Sequence, residues 1–261
     1  MRTPTPRESL LLALGAALLL AALFGPHVAQ PAHYHAFADQ RSLWGVPHAL
    51  DVLSNLPFAL AGIAGLRLLR GDAGLAMAPV QRGCAALFFG GLVLTTVCSA
   101  WYHLQPQDAG LAIDRAGMSL AFAGALGLLA ATQVSDRAGR MLALAVLVAA
   151  PLAIMVCLVT GNVLPWALLQ GGGLLLFVVF GLRAPRTGAL HVRWVAVLAI
   201  YVIAKLLEVG DHAVFEASGQ LLSGHTLKHL VAAFAAWPLL SAIAALRRGQ
   251  NPASSVATVR A

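Results

Sequence analysis

Eight apolar segments follow one another along the chain, separated by short polar stretches rich in Gly, Pro, Asp and Arg. Each segment approaches the roughly 20 apolar residues that a helix needs to cross a bilayer core about 30 Å thick. The pattern therefore predicts eight membrane helices joined by short turns. The predicted helices are 9–25, 52–69, 83–104, 111–131, 141–159, 165–183, 193–210 and 225–246.

Composition favours a membrane protein over a soluble one. Of the 261 residues, 59% are hydrophobic and only 10% are charged, whereas soluble domains carry about 25% charged residues. The predicted fold is an all-α polytopic membrane helix bundle, with seven core helices and one N-terminal helix or signal sequence. We expect an N-terminal hydrophobic helix and outer loop at 1–37, a seven-helix membrane domain at 38–248, and a disordered cytoplasmic tail at 249–261.

The first apolar segment has two interpretations. Its basic start, "MRTPTPR", is typical of a cleaved secretory signal but also of a retained membrane helix. Both interpretations place residues 26–50 on the far side of the membrane. The predicted membrane sides of the later loops are therefore the same for both interpretations.

The basic residues predict the orientation in the membrane, because cytoplasmic loops carry an excess of Lys and Arg. With a cytoplasmic N-terminus, thirteen of the seventeen basic residues fall inside, and most acidic residues fall outside. We expect both termini in the cytoplasm and the loops 26–50, 105–110, 160–165 and 211–224 outside. The net charge of +7 is divided among short clusters, which argues against a nucleic-acid partner.

Five polar side chains share one predicted depth near the outer face. Ser99 and His103 lie at the end of the third segment, and Asp114 lies at the start of the fourth. His225 and His229 begin the eighth segment. Residues four positions apart share a helix face, so each of the two pairs points to one side. Polar groups inside membrane helices are costly and usually functional.

Three neutral imidazoles from two helices, with one water, form the open tetrahedral set that catalytic zinc uses. His103, His225 and His229 are therefore the predicted ligands of a Zn²⁺ cofactor. Asp114 can orient the water or move its proton, and Ser99 can hydrogen-bond a developing oxyanion. Taken singly, each residue also has a structural explanation, such as a bond to a nearby carbonyl or to a helix dipole. Their shared depth favours the metal site.

The same residues carry a family resemblance. The motif "SAWYH", an aspartate eleven residues after His103, and the motif "HTLKH" in the last helix resemble the alkaline ceramidase family. That family belongs to the CREST superfamily of membrane hydrolases, together with adiponectin receptors and hemolysin III-like proteins. The segment "LDVLSNLPFALAG" is similar to the first core helix of the family, and the resemblance covers about residues 38–246. It implies that residues 38–248 form a ceramidase-like membrane domain.

The resemblance implies a zinc-dependent amidohydrolase acting on linear amides. The three histidines would hold the metal, and the serine and the aspartate would assist catalysis. The implied reaction is cleavage of the amide bond of ceramide or another N-acyl lipid by metal-activated water, a step of sphingolipid or other lipid metabolism. The expected partners are that lipid substrate and the membrane, with no nucleic acid.

The loop before the first core helix departs from the family, where it is acidic and binds calcium. Asp39 and Asp51 remain as oxygen donors, but His48 stands where an acid is expected. Calcium takes six to eight oxygen ligands, so calcium is left out of the predicted site. Asp51 and Ser54 can instead cap a helix.

Charged residues near the histidines are predicted to have structural roles. Lys228 is predicted to face away from both histidines and to reach toward lipid headgroups. Lys205, Glu208 and Asp211 recur at three-residue steps on one helix face, and we expect them to pair with one another. A supporting role around the metal is the alternative for these three.

Two functions besides hydrolysis stay open. The first is a receptor or binding protein with a structural metal, as in the hemolysin III and adiponectin-receptor branches. The second is a transporter, which is less favoured because transporters bind their cargo near the membrane midplane. Short loops and an Ala, Leu, Gly and Arg-rich sequence favour a bacterial inner membrane, with the metal site near the periplasmic side.

Overall fold

The computed structural model of the chain describes residues 3–249 and consists of helices. They are α1 (Pro6–Phe24), α2 (Ala49–Leu53), α3 (Leu56–Arg70), α4 (Asp72–Leu75), α5 (Pro79–Leu104), α6 (Asp108–Gln133), α7 (Asp136–Thr160), α8 (Leu164–Gly181), α9 (Trp194–Val209), α10 (Asp211–Ala217), α11 (Gly224–Phe234) and α12 (Trp237–Gly249). Within the described range no strand forms, and the two isolated β-bridges join only loop residues. The predicted all-α polytopic bundle is confirmed.

Seven helical spans within residues 3–249 are long and apolar enough to cross a membrane. They correspond to α1, α2 with α3, α5, α6, α7, α8, and α11 with α12. The remaining predicted helix is α9, which has 16 residues. At 1.5 Å per residue it extends only about 24 Å, less than the bilayer core of about 30 Å. The predicted tail at 249–261 lies outside the described residues apart from Gly249, the last residue of α12.

Helix α1 lies at the edge of the bundle, and none of its residues is buried. Its first turn is fixed by a capping box between Thr5 and Glu8. Arg7 donates a hydrogen bond to the carbonyl of Gln133 (2.6 Å), and Glu8 accepts one from the Ser135 hydroxyl (2.6 Å). These contacts attach the start of α1 to the turn between α6 and α7. A helix at this position is expected both for a cleaved secretory signal and for a retained membrane helix.

Helices α5 and α6 form the centre of the bundle because glycines bring their backbones together. A Cβ atom on Gly91 would lie 2.2 Å from the backbone nitrogen of Ala121, and one on Gly124 would lie 2.1 Å from that of Phe88. Small residues allow such close approach in membranes, where packing drives helix association. The contact places the end of α5, which carries His103, beside the start of α6.

The loops predicted to share one side of the membrane contact one another at one end of the bundle. Gln30, after α1, donates to Asp108 at the start of α6 (2.7 Å). The backbone N–H of Ala38 donates to Asp211 at the start of α10 (2.9 Å). A β-bridge joins the loop after α1 to the loop after α7. This end of the bundle, hereafter the loop end, therefore collects parts of the chain that are far apart in sequence.

Candidate metal centre

Three buried histidines meet at the loop end, where α5 ends and α11 begins. His103 lies in the last turn of α5, and His225 and His229 lie one turn apart at the start of α11. Their ring nitrogens converge, with one from each residue within 4.8 Å of the others. The ring centroids lie 4.8 to 5.1 Å apart. The structure thus brings together the three histidines that the sequence predicts as ligands.

The distance between two of the three ring nitrogens fits a small tetrahedral ion. The Nε2 atoms of His103 and His225 lie 3.3 Å apart. Two nitrogens that each lie about 2.0–2.1 Å from one zinc ion are about 3.3–3.4 Å apart in tetrahedral geometry. Of the residues described, no further histidine, cysteine or acidic residue belongs to the cluster. The three rings can therefore hold a metal ion through three protein ligands.

A serine from the first core span contacts Nδ1 of His229. The Ser54 hydroxyl donates to the carbonyl of Asp51 (3.0 Å), and its oxygen lies 2.8 Å from Nδ1 of His229. In the tautomer in which the hydroxyl proton of Ser54 goes to that carbonyl, Nδ1 of His229 is the donor. Its Nε2 therefore carries the lone pair that a metal needs. Such a partner on the far ring nitrogen is typical of metal-binding histidines.

Two buried aspartates hold the first turn of α11. Asp211 Oδ1 accepts from the backbone N–H of His225 (2.8 Å), and Asp51 Oδ1 accepts from the Thr226 hydroxyl (2.7 Å). The first N–H groups of a helix have no partner within the helix and need such acceptors. Asp211 thus positions the backbone of a candidate ligand. The prediction that it pairs with Lys205 and Glu208 is wrong.

Lys228 points into the cluster rather than away from it, so that prediction is also wrong. Its Nζ lies 3.0 Å from Nε2 of His225 and 3.6 Å from Oε1 of Glu208. Residues three positions apart on a helix share a face, which is why Lys228 follows His225 inward. Glu208 also pairs with Lys205, as predicted. Two lysines and one glutamate therefore stand together beside the histidines.

Ser99 and Asp114 lie next to each other, on the two helices at the centre of the bundle. Ser99 is buried one turn before His103 on α5, and its side chain is beside that of Asp114 on α6. Asp114 Oδ1 is buried and has no hydrogen-bond partner among the described residues. Asp114 is not one of the groups whose atoms converge on the possible ion. Asp114 is therefore not among the possible metal ligands of the described residues.

Phe37 closes the cluster from the loop before α2, and the sequence reasoning missed it. Its ring centroid lies 4.4 Å from that of His225 and 4.8 Å from that of His103. The side chain is buried, although it comes from a loop. An apolar aromatic between the polar residues of "HAFADQ" is the signal that could have identified it. Phe37 shields two of the three rings from water.

An ion pair organises the loop where the resemblance would place calcium. Arg41 donates to both carboxylate oxygens of Asp39 (2.8 and 2.7 Å) and to the carbonyl of Leu221 (2.9 Å). Burial raises the pKa of Asp39, but the hydrogen bonds and positive charge of Arg41 outweigh it and hold that pKa below the ordinary value of 3.8. The ion pair ties the loop before α2 to the loop before α11.

Comparison with known proteins does not assign a family. No protein-family model matches the chain, and no curated protein matches it. The resemblance to alkaline ceramidases stays a prediction that rests on the motifs. The structure itself gives a membrane-helical protein with a buried cluster of three histidines that can hold a metal ion.

Proposed function

We propose that the chain is a zinc-dependent membrane hydrolase that cleaves the amide bond of ceramide or another N-acyl lipid. The observation that carries the proposal is the 3.3 Å separation of two ring nitrogens, with a third histidine beside them. Three protein ligands with an open position are typical of catalytic rather than structural zinc. The ceramidase-like motifs around these histidines suggest the reaction class.

The three histidines would hold the ion through neutral ring nitrogens, one of them oriented by Ser54. A bound zinc ion supplies a water with a pKa near 7 and polarises a carbonyl oxygen. The buried cluster and the ring of Phe37 exclude bulk water. Exclusion of water strengthens every charge interaction that the site makes with a substrate.

Asp114 and Ser99 supply the proton transfer and the hydrogen bonding that amide cleavage requires. The unpartnered carboxylate oxygen of Asp114 is suited to accept a proton from water and to return it to the leaving amine. The Ser99 hydroxyl beside it can donate a hydrogen bond to the carbonyl oxygen as negative charge develops there.

The surroundings of the cluster suit an amphiphilic substrate. Trp101 on α5 and Phe234 on α11, the helices that carry the histidines, expose large apolar side chains. In the proposed complex the acyl chain lies against lipid-facing side chains such as these, and the amide lies at the histidines. We further propose that the loop end faces the periplasm of a bacterial inner membrane, because the basic clusters of the sequence lie toward the other end.

A non-enzymatic receptor or binding protein is the second candidate function. The observation that favours it is the contact of Lys228 with Nε2 of His225 (3.0 Å), which satisfies this nitrogen without a metal. In such a protein the histidine cluster would stabilise the loop end and its ligand would not be cleaved. Measuring metal content and hydrolysis on the same preparation separates the two functions.

The test is to purify the chain without chelators, measure its zinc content, and follow fatty-acid release from ceramide and a panel of N-acyl lipids in micelles. We expect about one zinc per chain and hydrolysis of at least one lipid. His225→Ala should lose both, and replacement of the exposed His191 by alanine should lose neither. If His225→Ala keeps zinc and activity, the site is wrong. Zinc binding without hydrolysis of any lipid would favour the binding protein.

A further inference from the structure

A cavity of about 250 Å³ lies at the loop end, between the first turns of α6 and the last turns of α7. Gln30, Asp108, Ala112, Arg115 and Cys157 are among the residues that line it. None of these belongs to the histidine cluster. The cavity is therefore a separate site, and its chemistry is that of one buried arginine and one exposed carboxylate.

Arg115 is buried and forms no direct ion pair among the described residues, although its charge acts on Asp108 and Asp114 at longer range. Its guanidinium donates to Sγ of Cys157 (3.0 Å) and lies over the rings of Tyr34 and Trp166, 5.6 and 5.3 Å from their centroids. The side chain is 4% exposed, and no acceptor within residues 3–249 takes its Nε–H. None of the ion pairs in the described part of the chain includes Arg115.

A buried guanidinium is stabilised by an anion that binds to it. Arginine stays charged in proteins, so Arg115 cannot reduce the cost of its burial by losing a proton. A thiol is a weak acceptor, and aromatic rings compensate a desolvated cation only in part. The planar fork of N–H donors matches two oxygens of a carboxylate or phosphate group. The ligand group that fits beside Arg115 is an oxyanion.

Asp108 restricts which oxyanion fits. Its side chain is 69% exposed, and its Oδ1 contacts Nε2 of Gln30 (2.7 Å) and Nε2 of His35 (3.0 Å), which leaves Oδ2 for a ligand. A carboxylate at this position repels a phosphate monoester, which carries close to two negative charges. It attracts an ammonium group. Arg115 and Asp108 thus place a positive and a negative group in the lining of one cavity, which matches a zwitterion.

We propose that the cavity binds the phosphoethanolamine headgroup of a membrane phospholipid, with the phosphodiester at Arg115 and the ammonium group at Asp108. A phosphodiester carries a single charge and two free oxygens, as the guanidinium requires. The acyl chains would remain outside, along lipid-facing side chains such as Leu158, which lines the cavity and is 46% exposed. None of the residues that line the cavity belongs to the proposed hydrolytic site.

The test measures lipid binding to the delipidated protein in a nonionic detergent by native mass spectrometry and thermal shift. The probes are short-chain phosphatidylethanolamine, phosphatidylcholine and phosphatidylglycerol, with glycerophosphoethanolamine and inorganic phosphate as soluble probes. We expect phosphatidylethanolamine to bind most tightly, and Arg115→Gln to weaken it about tenfold or more. Asp108→Asn should remove the preference over phosphatidylglycerol. Arg186→Gln is the matched control, because Arg186 pairs with Asp136. Lipid binding by this variant should equal that of the wild type.

Each result decides the proposal. Equal binding by wild type and Arg115→Gln, or equal binding of the three lipids by the wild type, would refute it. If a soluble probe, glycerophosphoethanolamine or inorganic phosphate, bound as tightly as the lipid, the assignment to a phospholipid would be overturned. If Arg115→Gln does not fold, Ala112→Leu fills the cavity without changing the guanidinium and should cause the same loss of binding. Normal lipid binding by that variant would also contradict the proposal.

Discussion

Lys228 and a metal ion compete for the same lone pair. The Nζ of Lys228 lies 3.0 Å from Nε2 of His225, and that nitrogen is the one 3.3 Å from Nε2 of His103. An ammonium group can only donate, so Nε2 of His225 is the acceptor. An ion bound to this nitrogen requires Lys228 to withdraw. Replacing Lys228 with methionine should therefore tighten metal binding.

The size of the effect follows from the contacts of Lys228. Breaking a hydrogen bond that involves a charged group costs about 1.5–3 kcal/mol, or a factor of about 10–150 in Kd. Repulsion between the ammonium and a doubly charged ion about 5 Å away adds about 7 kcal/mol at an effective dielectric constant of about 20. Glu208, whose Oε1 lies 3.6 Å from Nζ, offsets much of this repulsion. We therefore expect Lys228→Met to lower the Kd for zinc by about 10–150-fold.

Zinc titration against a chelator of known affinity measures this change. Lys205→Met is the matched control, because Lys205 pairs with the same glutamate but makes no contact with the histidines. That variant should change the Kd much less than Lys228→Met. An unchanged or higher Kd in Lys228→Met would show that the lysine does not occupy the lone pair, and the competition argument would fail.

Three further changes test other parts of the site and its loop. Ser54→Ala should weaken zinc binding about 10–100-fold, because it removes the partner that orients His229, and the same titration measures it. Asp114→Asn should abolish lipid hydrolysis and keep bound zinc, as activity and metal assays on one sample would show. Asp39→Asn should lower the melting temperature at pH 7. This difference should shrink as the pH falls below 3.8, because the lowered pKa of Asp39 means that its ionised form stabilises the folded chain only above that range. Thermal melts at several pH values check it.

The sequence predicts the helices well because a bilayer imposes one length on every span. All eight apolar segments correspond to helices of the structure, with ends that differ by a few residues. The breaks within spans were not predicted. The first core span divides into α2 and α3 before Pro57, and the last divides into α11 and α12 before Pro238. Hydrophobic periodicity does not report such breaks, since the segments stay apolar across them.

The contacts around the histidines were less accessible from sequence. The HxxxH spacing and the common depth of two helix ends were sufficient to group His103 with His225 and His229. The bond between Ser54 and His229 joins residues 175 positions apart, and no local pattern encodes it. The error about Lys228 was avoidable, because its position three residues after His225 already places it on the same helix face.

The distribution of positive charge links the two sites at the loop end. In the predicted orientation, only four of the seventeen basic residues lie away from the cytoplasmic side. Three of them have carboxylate partners: Arg41 pairs with Asp39, and both Lys205 and Lys228 pair with Glu208. Arg115 has no such partner among the described residues, although it is buried. Burying an arginine in a membrane protein without a direct counter-ion costs free energy. An anionic group that binds Arg115 would offset this cost, which is why we expect lipid to stabilise the wild type more than Arg115→Gln.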